Sequence, residues 1–147
     1  MSNNCIISTK DRGIGIYVHN YGDIDTIAAV LTFCKIKEFP PPEKNSNGWA
    51  CLIAVMTNLF ADFEGEGVIV DLYENLDSSN LCNGHFIIEN WEIVEMSRPD
   101  DIYVASDEYL QRISVAQPRK FQLGVYGIIN RSTYEIVGFR EENESTR

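Results

Sequence analysis

A chain of 147 residues, 44% hydrophobic and 11% aromatic, is long enough for one domain with a real core and too apolar for wholesale disorder. Its formal charge of −10 argues against nucleic-acid binding, which needs cationic groups to displace counterions from phosphate. The longest strongly apolar run, Ala50 to Phe60, is interrupted by Thr57 and Asn58 and falls far short of the ~20 residues of a membrane span.

The start, MSNNCIISTKDRG, lacks the basic-then-apolar layout of a signal peptide, so a cytoplasmic protein without membrane contact is expected. CIISTKDRGIGIYVH reads as two short strands around a polar turn at Lys10–Gly13. In YGDIDTIAAVLTFCKIKEF, Ile24, Ile27, Leu31 and Cys34 recur at helical spacing. Asp23 or Asp25 can cap the amino end, Lys35 and Lys37 suit the carboxyl end, and FPPPE stops the helix. A second helix is expected from Asn47 or Gly48 to about Phe60, and its nearly continuous apolar character suggests burial on more than one side.

VIVDLY follows as a strand, then the polar ENLDSSNLCNG with an Asn-Gly turn signal, then HFIIENWEIVEM. Phe86 and Ile88 differ in parity from Trp91 and Ile93, which predicts a bulge or break near Glu89-Asn90. SRPDDIYV reads as a turn and a short extended piece. SDEYLQRISVA reads as a helix capped by Ser106, QLGVYGII-NRST-YEIVGF as a hairpin, and REENESTR as a frayed tail. The expected fold is α+β: an antiparallel sheet with two helices on one face, plus a carboxyl-terminal helix and β-hairpin. One domain spans 1–147, with a core at about 4–97, an extension at about 98–140 and a tail at 141–147. Cys5, Cys34, Cys51 and Cys82 form no CxxC pair, and each sits among apolar residues, so reduced, buried thiols are expected.

Charge is unevenly spread. From Asn45 to Ser97 there are nine carboxylates and no Lys or Arg; the segment before is neutral and the one after carries −1. Asp62, Glu64, Glu66, Asp71, Glu74 and Asp77 are thus candidates for contacting a basic protein, although acidity also serves solubility alone. DFEGEGVIVDLYE echoes a calcium loop but has Tyr73 where the bidentate Glu belongs, so no metal is expected. His19 lies four residues before Asp23; with Asp23 or Asp25 it is the candidate acid–base group of a nucleotide hydrolase. No nucleophile elbow accompanies it, and no GxGxxG, Walker A or HExxH motif occurs, so no cofactor is expected. Tyr17, His19, Trp49, Tyr73 and Trp91 are candidates for an aromatic ligand pocket.

GIYVHNYGDIDTIAAVLTFCKIKEF, then NGWACLIAVMTNLF, then NGHFIIENWEIV together resemble a family of small, largely uncharacterised proteins from phages and mobile elements of Gram-positive bacteria. The resemblance covers about residues 4–97 and rests on Tyr17, His19, Gly22, Asp25, Gly48, Trp49, Ala50, Asn83, Gly84, Trp91, Ile93 and Val94. Asn20 and Asn47 stand where the family favours Trp and Tyr. It brings no activity with it; it implies a setting in which small acidic proteins block host defence. The expected function is therefore non-enzymatic inhibition of a bacterial defence system in the host cytoplasm. The acidic surface would occupy a basic groove on a nucleic-acid-binding or defence protein. The alternatives are sequestration of a small nucleotide signal by the aromatic residues, with Arg98, Arg112, Arg119 or Lys120 lining the pocket in a homo-oligomer, and hydrolysis through His19.

Overall fold

Around the Lys10–Gly13 turn the chain forms β1 (Cys5–Ser8) and β2 (Ile14–Val18), antiparallel, with Ile6 opposite Tyr17 and Ser8 opposite Gly15. The computed structural model describes residues 3–59, 67–79, 81–97 and 107–122, and the backbone of two further strands. β3 (Val68–Leu72), β4 (His85–Glu89) and β5 (Glu92–Met96) complete a five-stranded sheet in the order β3-β2-β1-β4-β5. The fold is α+β. The antiparallel expectation fails at one pairing: β1 and β4 run parallel, Ile6 beside His85. After β3 the chain must reach the far side of β1, and a strand regained by a crossover can enter in the same direction as its neighbour.

Two helices lie between β2 and β3 in sequence: α1 (Ile24–Ile36) and α2 (Asn47–Leu59). Their buried residues join one apolar cluster with Cys5, Ile7, Ile16, Val18, Phe86 and Ile88 of the sheet. α1 is the helix buried all round, with every residue from Thr26 to Cys34 enclosed. Asp23 caps it by accepting from Thr26 N–H at 3.1 Å. At the other end Glu38 takes a left-handed conformation (φ 59°). Phe39 N–H then reaches back to Cys34 C=O, the Schellman arrangement that satisfies the last carbonyls before Pro40–Pro42. α2 departs from the expectation of burial on several sides. It buries a single stripe, Gly48, Trp49, Leu52, Val55 and Met56, because α1 takes the central position and leaves α2 only one apolar neighbour surface. Gly48 packs directly on the backbone of Pro40–Pro42, leaving no room for a Cβ.

β4 and β5 are joined by Asn90 and Trp91, both at positive φ (51° and 62°), a two-residue turn of the type that matches strand twist. The predicted break thus falls one residue later, with a register shift between Ile87 and Ile88 as well. A left-handed Trp is uncommon. Here the ring is buried, 3% exposed, and its Nε1–H donates to Phe39 C=O at 2.7 Å. α3 (Asp107–Val115) contributes Leu110 and Ile113 to the same core, and β6 (Gly127–Asn130) pairs antiparallel with β7 (Glu135–Phe139). The SRPDDIYV segment beyond Ser97, the Ser106 cap and the 141–147 tail lie outside the described residues. No helix among the described residues is long and apolar enough to cross a membrane.

Candidate functional site

Strand alternation sends Cys5, Ile7, Ile16 and Val18 toward the helices and Ile6, Ser8, Gly15 and Tyr17 to the other face. Among the described residues no helix covers that second face, yet Ile6 and Ile87 are 1% and 2% exposed. The cover is the connection from β3 to β4, described at 73–79 and 81–84, which we call the strap. It starts with one turn of 3₁₀ helix at Tyr73–Asn75. Tyr73 N–H is anchored to Gly13 C=O at 2.9 Å. Gly15 allows the strap to lie close: a Cβ there would stand 2.7 Å from Leu76 Cδ1 and 3.3 Å from Tyr73 Cα.

The far end of the strap is tied by asparagines. Asn4 accepts from Cys82 N–H through its side chain (2.6 Å) and from Asn83 N–H through its carbonyl (2.9 Å). Asn83 Nδ2 donates to Asn3 Oδ1 at 2.6 Å, and Asn3 Nδ2 donates to Asp23 at 3.0 Å. Asn4 Nδ2 donates to the Tyr17 hydroxyl at 3.0 Å, and that hydroxyl lies 3.2 Å from His19 Nδ1. A second pair stands nearby: the Tyr73 hydroxyl meets His85 Nδ1, with the rings edge to face. Burial pushes the His85 pKa below its ordinary value, and the neighbouring Arg12 guanidinium, 6.0 Å from the Tyr73 ring centre, lowers it further.

The five predicted pocket residues therefore do not form one site, although Tyr17 meets His19. Trp49 and Trp91 belong to the helix-side core, whereas Tyr17 and Tyr73 are on the strap side, and His19 is exposed just past β2. Trp49 and Trp91 read as pocket walls in sequence because they stand at element ends; they are packing residues there. Nor do His19 and Asp23 pair. Both Asp23 oxygens are engaged by Thr26 and Asn3, while Asp25 sits in the first turn of α1. Among the other hydroxyls nearby, Ser8 donates to Ile14 C=O, Thr9 to Asp11, and Ser97 accepts from His85 N–H.

Among the predicted partner-binding carboxylates, Asp62, Glu64 and Glu66 lie outside the described residues. Asp71, Glu74 and Asp77 are exposed along β3 and the strap. Register adds two more on the same face: Glu95 stands opposite Ile87, and Glu89 alternates with the core residue Ile88. The Ser79 hydroxyl and amide hold the Asp77 carboxyl below the usual range, keeping it charged. Of the described cations on this side, Lys10 is bound to Glu89 at 2.7 Å and Arg12 lies by Tyr73. Of the phosphate-binding candidates, Arg98 lies outside the described residues. Arg112, Arg119 and Lys120 belong to α3 and the turn after it, away from the strap. Among the described residues no group of three or more His, Cys, Asp or Glu could hold a metal ion.

Sequence reading overlooked His85, Asn3, Asn4 and Asn83, although the last was part of a turn signal. Polar residues flanking strands carry no periodicity, so only the crossover reveals that they meet. The cysteine expectation also needs correction: Cys5 and Cys34 are buried, Cys51 is partly exposed and Cys82, at the end of the strap, is exposed. Burial drives the Cys5 and Cys34 thiols well above their ordinary pKa, which keeps them protonated. No protein-family model, no curated protein and no solved structure matches the chain.

Proposed function

We propose that this protein acts by binding: its strap face docks on a basic surface of another protein and blocks it. One observation carries the reading. Asp71 of β3, Glu74 and Asp77 of the strap, Glu89 of β4 and Glu95 of β5 share one face of the sheet. That face holds Lys10 already neutralised by Glu89. Like charges gathered this way repel one another, and a cationic partner relieves that repulsion while speeding encounter. The resemblance to phage and mobile-element proteins sets the reading in the cytoplasm of a bacterial host, with a nucleic-acid-binding or defence protein as the target. Sequestration of a nucleotide draws less support, since the acidic strap face repels phosphate and the two Trp rings lie behind the sheet.

The test is a tagged pulldown from bacterial lysate, with bound proteins and heat-released small molecules both identified by mass spectrometry. The expected result is a basic protein captured stoichiometrically. Its affinity should fall steeply with salt, and by about tenfold or more when Asp71, Glu74, Asp77 and Glu95 become Asn or Gln. A released nucleotide, with no protein partner, would sink the charge-based reading.

A further inference from the structure

α2 has a flank that the core does not use. Ala50, Cys51 and Ala54 lie beside its buried stripe, and this flank faces the turn that follows α3. Between them is a cavity of about 360 Å³, walled by Phe33, Phe39, Cys51, Ala54, Pro118 and Phe121. Its volume falls at the small end of the roughly 300–1,000 Å³ typical of ligand pockets. The two amide side chains on its wall do not ask for a polar ligand. Asn58 Nδ2 donates to Gln117 Oε1 at 2.9 Å, and Gln117 Nε2 donates to the Val55 and Ile113 carbonyls at 3.0 and 3.1 Å. What remains open to a ligand is hydrocarbon, aromatic faces and one thiol.

Two cations stand beside one of these walls. Lys37 Nζ and Lys120 Nζ stand 5.8 and 5.0 Å from the centre of the Phe121 ring. Neither is bridged to a carboxylate among the described residues. On a chain of net charge −10, two ammonium groups beside an apolar cavity are a local reversal of sign. An apolar body can enter the cavity, and a negative head beside Phe121 is then drawn to these ammonium groups.

We infer that this cavity binds a free medium-chain carboxylic acid, its chain between α2 and Phe121 and its carboxylate at Lys37 and Lys120. The site is independent of the acidic strap face, which lies on the other side of the sheet, so the two readings fail separately. The cavity is walled at one side by Ala54, an exposed helical position where a large side chain can fill it without entering the core.

Sodium decanoate, kept below its micelle concentration, is titrated calorimetrically into the full chain, with decanol as the uncharged probe. Saturable one-site binding of decanoate is expected, lost in Ala54→Trp while its circular dichroism and melting remain those of the parent. In Lys37→Gln/Lys120→Gln, decanoate should bind about five- to tenfold more weakly, the range two exposed ion pairs supply, with decanol unchanged. A second readout needs no variant: decanoate should slow alkylation of Cys51, which lines the cavity, and leave that of the exposed Cys82 unaltered. Absence of saturable binding overturns the inference, as does undiminished binding to folded Ala54→Trp. Equal affinity of the parent for decanol and decanoate removes the role given to the lysines.

Discussion

Ile7 and Ile6 are neighbours in β1 and both are essentially inaccessible, but they are buried by different means. Ile7 meets the apolar cluster of α1, α2 and α3. Ile6 lies beneath a strap secured by Tyr73, Asn4 and Asn83 through hydrogen bonds to backbone and side chains. Equal burial therefore does not mean equal stability. The helix side draws on hydrophobic burial spread over many side chains, whereas the strap side depends on a few directional bonds, each worth about 0.5–1.5 kcal/mol net. The helix side should unfold only with the whole domain. The strap should open locally at lower free energy, which suits a surface made for contact.

The largest expected effect lies on the helix side. Trp91→Ala removes a buried ring and leaves the Phe39 carbonyl without its donor; a loss of about 3–5 kcal/mol in urea unfolding is expected. A loss below about 1 kcal/mol would show that Trp91 is not a core residue and would reopen its role as a pocket wall. Gly15→Ala attacks the other side by pushing on Leu76 and the Tyr73 backbone. We expect it to cost about 1–3 kcal/mol and to speed amide exchange in the strap more than in α1. Uniform loss of protection would mean that the two sides form one cooperative unit.

Tyr73→Phe deletes only the hydroxyl that meets His85, for about 1 kcal/mol, and should shift the His85 resonances while those of His19 stay in place. The smallest effect is a pH dependence. His85 has a folded pKa below its ordinary 6.5, so the unfolded chain takes up its proton first as pH falls. Its contribution is complete above pH 6.5 and is lost as the pH drops through the lower folded value. Comparing parent with His85→Asn over that window should show the shallower slope in the variant; identical slopes would remove His85 from the account.

Elements that carry their own periodicity were legible in the sequence. α1 announced itself through Ile24, Ile27, Leu31 and Cys34 with Asp23 before them, and β1 and β2 through the polar turn between them; HFIIENWEIVEM read as strand with a bulge or break near Glu89-Asn90, and its hairpin did not show. α2 was placed correctly but its surroundings were not, because composition cannot say which of two apolar helices takes the centre. The strap was illegible for a related reason. ENLDSSNLCNG has the composition of a solvent loop, and only the parallel entry of β4 beside β1 forces it across the sheet. Once that is known, Gly15 and the asparagines acquire their roles. The acidic middle was visible as a count; the face shared by Asp71, Glu89 and Glu95 depended on strand register, which the sequence left open.

The placement of Trp49 and Trp91 has an optical consequence. They are the only tryptophans in the chain, and both lie in the helix-side core. Intrinsic emission therefore follows global unfolding well and is nearly blind to events on the strap. A titration monitored by tryptophan alone could miss a genuine partner docking there. Cys82, the one exposed thiol, sits at the end of the strap and is the natural attachment point for a dye that would see it.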